Sequence, residues 1–155
     1  MEYQIQMRLH EDEALFRQAV IATAAELNIP EIFIEKDYWV TYALHGIFHA
    51  PIGEETVFKG GTALSKCFGL IDRFSEDIDL VVKHHGGETD NQLKRKIKKV
   101  GQAVTPIMPE VEIEGLTRKM GMNRKTAHSY PKMFRGSFGQ VRNVIVVEST
   151  WFGYY

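Results

Sequence analysis

"VFKGGTALSKCFGLIDRFSEDIDLVV", residues 57–82, decides how this chain is read. A short apolar run ends in the pair Gly60-Gly61, a helix-forming stretch from Thr62 follows with Gly69 near its end, and Asp77-Ile78-Asp79 opens a second apolar run. The pattern predicts strand, short helix, strand. A strand sends alternate side chains to opposite faces, so Asp77 and Asp79 share one face while Ile78 and Leu80 enter the core from the other. Two carboxylates about 7 Å apart at the front of an apolar strand repel one another unless something neutralises them. A divalent cation is the simplest neutraliser, because hard oxygen ligands suit Mg²⁺. Acids meeting water at a strand end are the plain alternative.

The glycines upstream bear on that choice. Between a strand and a helix, Gly60 and Gly61 let a backbone approach phosphate oxygens, and the helix start presents unpaired N–H groups to an anion. Thr62 and Ser65 add hydroxyls and Lys66 a cation. Alone, this is equally a tight strand-to-helix turn. A phosphate cradle followed by a D-x-D strand describes a site for a metal ion and a nucleoside triphosphate.

The bulk of the chain narrows the class. Its 155 residues suit a single domain; 44% hydrophobic and 25% charged residues are ordinary for a globular protein. No apolar run approaches the roughly 18 residues of a membrane helix, and "MEYQIQMRLH" lacks the basic start and apolar centre of a secretion signal. One cysteine, Cys67, excludes an internal disulfide and fits a cytoplasmic location. A formal charge of -1 gives no global attraction to nucleic acid, so such affinity has to come from a local patch.

Outward from the central stretch, "HEDEALFRQAVIATAAEL" predicts a helix with Ala14, Leu15, Ala19, Ile21 and Ala22 as its apolar positions, and "EIFIEKDYWVTYALHGIFHA" a second with Phe33, Ile34, Tyr38, Val40, Leu44 and Phe48. "QLKRKIKKVGQAV" predicts a basic amphipathic helix with Leu93, Ile97, Val100 and Val104 inward; its Lys and Arg residues form a solvated face or an RNA-backbone contact. "VEIEGL" alternates like a strand, "TRKMGMNRKTAHSY" is polar and hard to place, and "KMFRGSF" with "VRNVIVVEST" reads as a hairpin around Gly139. The expected layout is α+β (mixed α/β): N-terminal helices over 11–49 and a core over 56–155, with helices flanking a central mixed sheet. His84, His85 and His128 lack a zinc-ligand pattern, and Cys67 is expected in the core rather than as a nucleophile.

Residues 57–82 closely resemble the signature of the AbiEii/AbiGii toxin-like nucleotidyltransferases, within the DNA polymerase β-like superfamily. The superfamily pattern is a hydrophobic residue, Gly, Gly or Ser, a short helix, and acid–x–acid on the next strand. The 15 residues between Gly61 and Asp77 are long for the superfamily, yet "LSKCFGLIDRFSED" is similar to the toxin-like family, as is "EKDYWVTYALHGIF", residues 35–48. The resemblance implies a polymerase β-like catalytic lobe and a third carboxylate on a later strand. Glu148 is the candidate, completing with Asp77 and Asp79 the ligands of two Mg²⁺ ions; the alternative is a strand-end glutamate in water or an ion pair with Arg142. Gly60, Gly61, Thr62, Ser65 and Lys66 are expected to hold the nucleotide. Arg73 pairs with the γ-phosphate or neutralises Glu76, and Ser75 touches a phosphate or caps the turn. A lysine ahead of the last acid is also implied, Lys125 or Lys132. Lys36-Asp37 resembles a family feature, or is a surface pair beside Tyr38.

The implied activity is transfer of a nucleoside monophosphate from an NTP to an acceptor hydroxyl, by a toxin of a bacterial toxin–antitoxin or abortive-infection system. Its partners would be a cognate antitoxin and RNA such as the tRNA 3′ end. A protein or small-molecule acceptor, or a non-catalytic nucleotide-binding module, are the alternatives. The resemblance also implies a helical second lobe after the aromatic "WFGYY", so the chain is expected to be a catalytic lobe whose activity belongs to a longer protein.

Overall fold

Asp12 caps the first helix, α1 (Glu13–Leu27), by accepting the Leu15 N–H at 2.9 Å, and Asn28 ends it in the left-handed region at φ 54°. Pro30 then starts α2 (Glu31–His49). The computed structural model describes residues 8–69, 77–136 and 142–152, and the side chains of all of these except Phe68 and Phe152. After α2 come β1 (Thr56–Lys59), α3 (Gly60–Phe68), β2 (Asp77–Lys83), α4 (Asp90–Val104), β3 (Glu110–Val111), β4 (Asn123–Ser129) and β5 (Val144–Phe152). The five strands form one sheet in the order β1-β2-β5-β4-β3. Only β2 and β5 run parallel; every other neighbouring pair is antiparallel.

Helices cover one face of this sheet. Trp39, Val40, Ala43 and Ile47 of α2 and Ile97, Val100 and Val104 of α4 pack with Ile78, Leu80 and Val82 of β2 and Ile145 and Val147 of β5. That burial, at about 25 cal/mol per Å² of apolar surface removed from water, is the main force holding the layers together. The opposite face carries a small apolar cluster of Ala127, Val144 and Val146 at one end and the carboxylates of β2 and β5 further along.

The α4 helix follows its sequence pattern: Leu93, Ile97, Val100 and Val104 are buried, and Thr89 with Gln92 forms a capping box. Three expectations need correction. The α1 helix buries Phe16, Val20 and Ala24 and leaves Leu15 and Ile21 exposed. In α2 the inward stripe is Ile32, Trp39, Val40, Ala43 and Ile47, with Phe48 outside. Both helices are apolar on more than one side, so periodicity alone cannot choose the face that meets the sheet. The expected hairpin is not seen among the described residues: residues 132–136 form no strand, and Gly139 lies outside the described residues. The antiparallel partner of β5 is instead β4, drawn from the polar stretch that resisted placement.

Strand β4 enters the interior with polar side chains because they pair with one another. The wholly buried His128 ring is fixed by the Met108 carbonyl at 3.1 Å from Nδ1 and by the Thr126 hydroxyl at 2.9 Å from Nε2. Nδ1 therefore carries the proton and donates, while Nε2 accepts. Burial pushes the His128 pKa below its ordinary value, against an opposing pull from the Met108 carbonyl and Glu110. The unfolded chain thus binds a proton more readily than the native one in the interval below the ordinary histidine pKa. Stability is expected to be complete above that pKa and to fall as pH drops through the interval; His128→Gln should flatten that part of the curve in urea unfolding followed against pH.

Candidate active site

The register of the sheet lines up one row of charge. Lys59 of β1 sits opposite Asp79 of β2, Asp79 opposite Glu148 of β5, and Glu148 opposite Lys125 of β4. An isolated bridge adds Arg118 beyond Lys125. Cross-strand partners share a face and lie about 4.5–5.5 Å apart, so the row reads plus, minus, minus, plus, plus on the face of the sheet opposite α2 and α4. Asp77 projects from the same face one pleat back along β2.

The two central acids are adjacent because parallel pairing places Asp79 beside Glu148. Burial, then the Glu148 carboxylate, pushes the Asp79 carboxyl above its ordinary range; Asp77 adds to the rise while Lys59 and Lys125 oppose it. Asp77 meets Arg142 Nη1 at 3.3 Å. Glu148 accepts from Asn123 Nδ2 at 3.1 Å and faces Lys125 Nζ at 3.6 Å. The alternative ion pair of Arg142 with Glu148 is therefore replaced by one with Asp77. Beyond Glu148 a cleft of about 380 Å³ opens, lined by Leu116, Thr117, Arg118, Asn123, Lys125 and Glu148. Among the described residues no three ligand-type side chains close around a common point. Asp77, Asp79 and Glu148 share a face and neighbouring register, and two of them are turned towards cations.

The glycine pair is built as a strand-to-helix corner. Gly60 takes φ +80°, and a Cβ there would fall 3.1 Å from both Cβ and Cγ of Asp79. Glycine at this position therefore serves the corner and the nearby carboxylate at once. The buried Thr62 donates its hydroxyl hydrogen to the Asp77 carbonyl, tying the first turn of α3 to β2, and Gly69 ends α3 in the left-handed region. Ser65 is half-buried on α3. Arg73, Ser75 and Glu76 lie outside the described residues.

The other candidates divide. Lys125 reaches the acid row, whereas Lys132 donates to Asn143 Oδ1 at 2.6 Å, away from it. Lys66 turns to α2, bonding Asp37 Oδ1 at 2.6 Å and the Thr41 hydroxyl at 2.9 Å. This yields a test. If Lys66 serves to tie α3 to α2, Lys66→Met and Asp37→Asn should produce the same defect, and the double variant should add little in a cycle of melting temperature and nucleotide affinity. A phosphate-binding Lys66 would leave Asp37→Asn nearly silent.

Sequence reasoning gave no site role to Lys59, Arg118 or Asn123. Lys59 is exposed and makes no ion pair among the described residues. Its signal was the antiparallel return from β1 to β2, which carries the residue before the glycines to the level of the second aspartate. One expectation on the helices is corrected: Cys67 is exposed on α3 rather than in the core. Of the two readings of Lys36, the surface pair is excluded, because Lys36 and Glu35 are wholly buried. Burial pushes the Glu35 carboxyl up, opposed by the hydrogen bonds it receives from the Met133 and Phe134 amides.

A mixed sheet with two acids of one strand beside a third acid on its parallel neighbour, and a glycine corner leading into a helix, is consistent with a nucleotidyltransferase lobe. Residues 42–152 match the family model described as "Nucleotidyl transferase AbiEii toxin, Type IV TA system", and the chain belongs to that family. The family is one of toxins in type IV toxin–antitoxin systems, which brings with it an antitoxin counterpart. No curated protein and no solved structure gives a match. Among the described residues no helix is long and apolar enough to cross a membrane.

Proposed function

We propose that this chain carries the catalytic site of a magnesium-dependent nucleotidyltransferase, a cytoplasmic toxin that moves a nucleoside monophosphate from an NTP to a hydroxyl of RNA such as the tRNA 3′ end. The observation that carries the reading is the parallel pairing of Asp79 with Glu148, with Asp77 on the same face. Asp77, Asp79 and Glu148 share a face in neighbouring register, with the Asp79 carboxyl raised by burial first and by Glu148 second. Among the described residues the three do not converge on one point, but their carboxylate oxygens are the hard donors that suit Mg²⁺. Asp77, Asp79 and Glu148 would hold it. When bound, magnesium neutralises phosphate charge and polarises the phosphoryl group.

The chain's own residues position the substrates. Gly60 and Gly61 bring the backbone close to the triphosphate at the open start of α3, and Lys59, Arg142 and Lys125 offer positive charge along the acid row. The acceptor hydroxyl oxygen forms a bond to the α-phosphorus and gives up its proton to water, the bond to the bridging oxygen breaks, and pyrophosphate leaves with that electron pair. Glu148, which borders the cleft towards β4, is assigned to the acceptor side. Positioning and charge neutralisation lower the barrier, with little covalent chemistry asked of the protein.

The test incubates the protein with each of the four labelled NTPs and a cell extract, with Mg²⁺ or with EDTA, and separates RNA from protein. Label on RNA that disappears with EDTA is the expected result. Label on protein alone would replace RNA as the acceptor. No label, together with no shift in melting temperature on adding Mg²⁺ and NTP, would overturn the enzymatic reading and favour a non-catalytic module.

A further inference from the structure

Two neighbouring charged residues of α2, Glu35 and Lys36, are both 0% exposed. A buried charge is costly unless hydrogen bonds compensate it, so their partners show what the arrangement is for. The Glu35 carboxylate takes the backbone N–H of Met133 through Oε1 and that of Phe134, at 3.0 Å, through Oε2. The Lys36 ammonium donates to the Arg142 carbonyl at 2.6 Å. Both grips fall on the chain that joins β4 to β5, one on each side of residues 137–141. Arg142 is where that connection turns towards β5, two residues before the strand begins. Its guanidinium is the group that meets Asp77, at 3.3 Å. A continuous set of contacts thus runs from the interior of α2, through the backbone of Arg142, to the first acid of the site.

We propose that Lys36, assisted by Glu35, is a positioning residue that acts on nucleotidyl transfer through Arg142, by fixing the entrance to β5 so that the guanidinium stands at Asp77. The proposal rests on the nucleotidyl-transfer reading above. Its physical basis is that an exposed ion pair contributes little by itself, so the placing of the guanidinium at Asp77 depends on the backbone that carries it. A buried ammonium on its carbonyl fixes the backbone from which the side chain departs. The Glu35 grip sets where the same connection leaves β4. Arginine suits the task because its planar fork binds carboxylate and phosphate alike, so the group that meets Asp77 is also suited to a triphosphate.

The experiment is a double-mutant cycle on the intact protein, with labelled NTP, Mg²⁺ and bulk tRNA as probes and with kcat, KM and melting temperature as readouts. Lys36→Met and Arg142→Met are each expected to lower kcat/KM roughly 10–100-fold, the range seen when a residue supporting a functional group is lost. The double variant should be no slower than Arg142→Met alone. Lys36→Met should still lower the melting temperature in both backgrounds. Loss of the kinetic effect with retention of the thermal one is what a merely structural lysine would not produce. Kinetic effects that multiply, or a folded Lys36→Met variant with unchanged kcat/KM, would overturn the proposal. Where Lys36→Met folds poorly, Lys36→Leu, which likewise removes the donor to the carbonyl, carries the same cycle. If wild type transfers nothing, the Mg²⁺·NTP shift in melting temperature replaces kcat/KM. A wild type with neither transfer nor shift overturns the parent reading and this inference together; an active wild type matched by Lys36→Met overturns this inference alone.

Discussion

Asp79→Asn is expected to lower nucleotidyl transfer by on the order of 10³-fold or more, the scale on which removal of a group stabilising transition-state charge is felt, while raising the melting temperature at neutral pH. The two effects have one cause. Asp79 stands beside both Asp77 and Glu148 on the face opposite α2 and α4, and its carboxyl is held above the ordinary range by burial first and Glu148 second. In the absence of a cation, ionising Asp79 costs more in the folded protein than in the unfolded chain. The native state therefore binds the proton more tightly, and stability falls as pH rises through the interval above the ordinary aspartate pKa. Asparagine removes that penalty. Its thermal advantage should vanish below the ordinary aspartate pKa, where both residues are neutral, and should shrink when Mg²⁺ is added to wild type. Calorimetry across pH, with and without Mg²⁺, checks all three statements. An Asp79→Asn variant that is less stable at pH 7 and fully active would remove the central premise of the site.

What made this site legible in the sequence was agreement among independent local signals. Gly60-Gly61, the apolar run before them, the helix-forming residues after and the alternation of Asp77-Ile78-Asp79 all describe the same strand–helix–strand unit, and such consistency across levels is what specifies a fold. The α4 helix was legible for a similar reason, since its apolar stripe is narrow and Thr89 and Gln92 mark its start. Strand β4 was not, because its interior residues are Thr126, Ala127 and His128, and the hydrogen bonds that make them acceptable inside involve Met108, some twenty residues away. No hydrophobic period records such bonds. The burial of Glu35 and Lys36 escaped for the same reason: their partners lie 98 to 106 residues further along the chain. Register is the remaining invisible quantity. The sequence contains Lys59, Asp79, Glu148 and Lys125, but their alignment across four strands follows only from the pairing of β1, β2, β5 and β4.

The second large effect is expected at Gly60. This residue sits at φ +80°, where an L side chain is strained, and a Cβ there would press on Asp79 at 3.1 Å from Cβ and Cγ and closer still to the carboxylate oxygen. Backbone strain of this kind costs about 1–3 kcal/mol, and the displaced object is the central acid rather than a free surface side chain. Two outcomes are open to Gly60→Ala: the corner yields and α3 loses its start, or Asp79 yields and the acid row is broken. Either way stability in urea unfolding and transfer from NTP should fall together. Gly61→Ala supplies the comparison, because Gly61 lies within the first turn of α3 and outside the left-handed region. It should cost the fold less, and its effect should appear instead in KM for the NTP, where an added methyl hinders the approach of phosphate to the backbone. The contrast separates the two tasks of the glycine pair, one making room for the acid and the other making room for the nucleotide. If Gly60→Ala left both stability and transfer unchanged, the close approach of the corner to Asp79 would not be what requires glycine there.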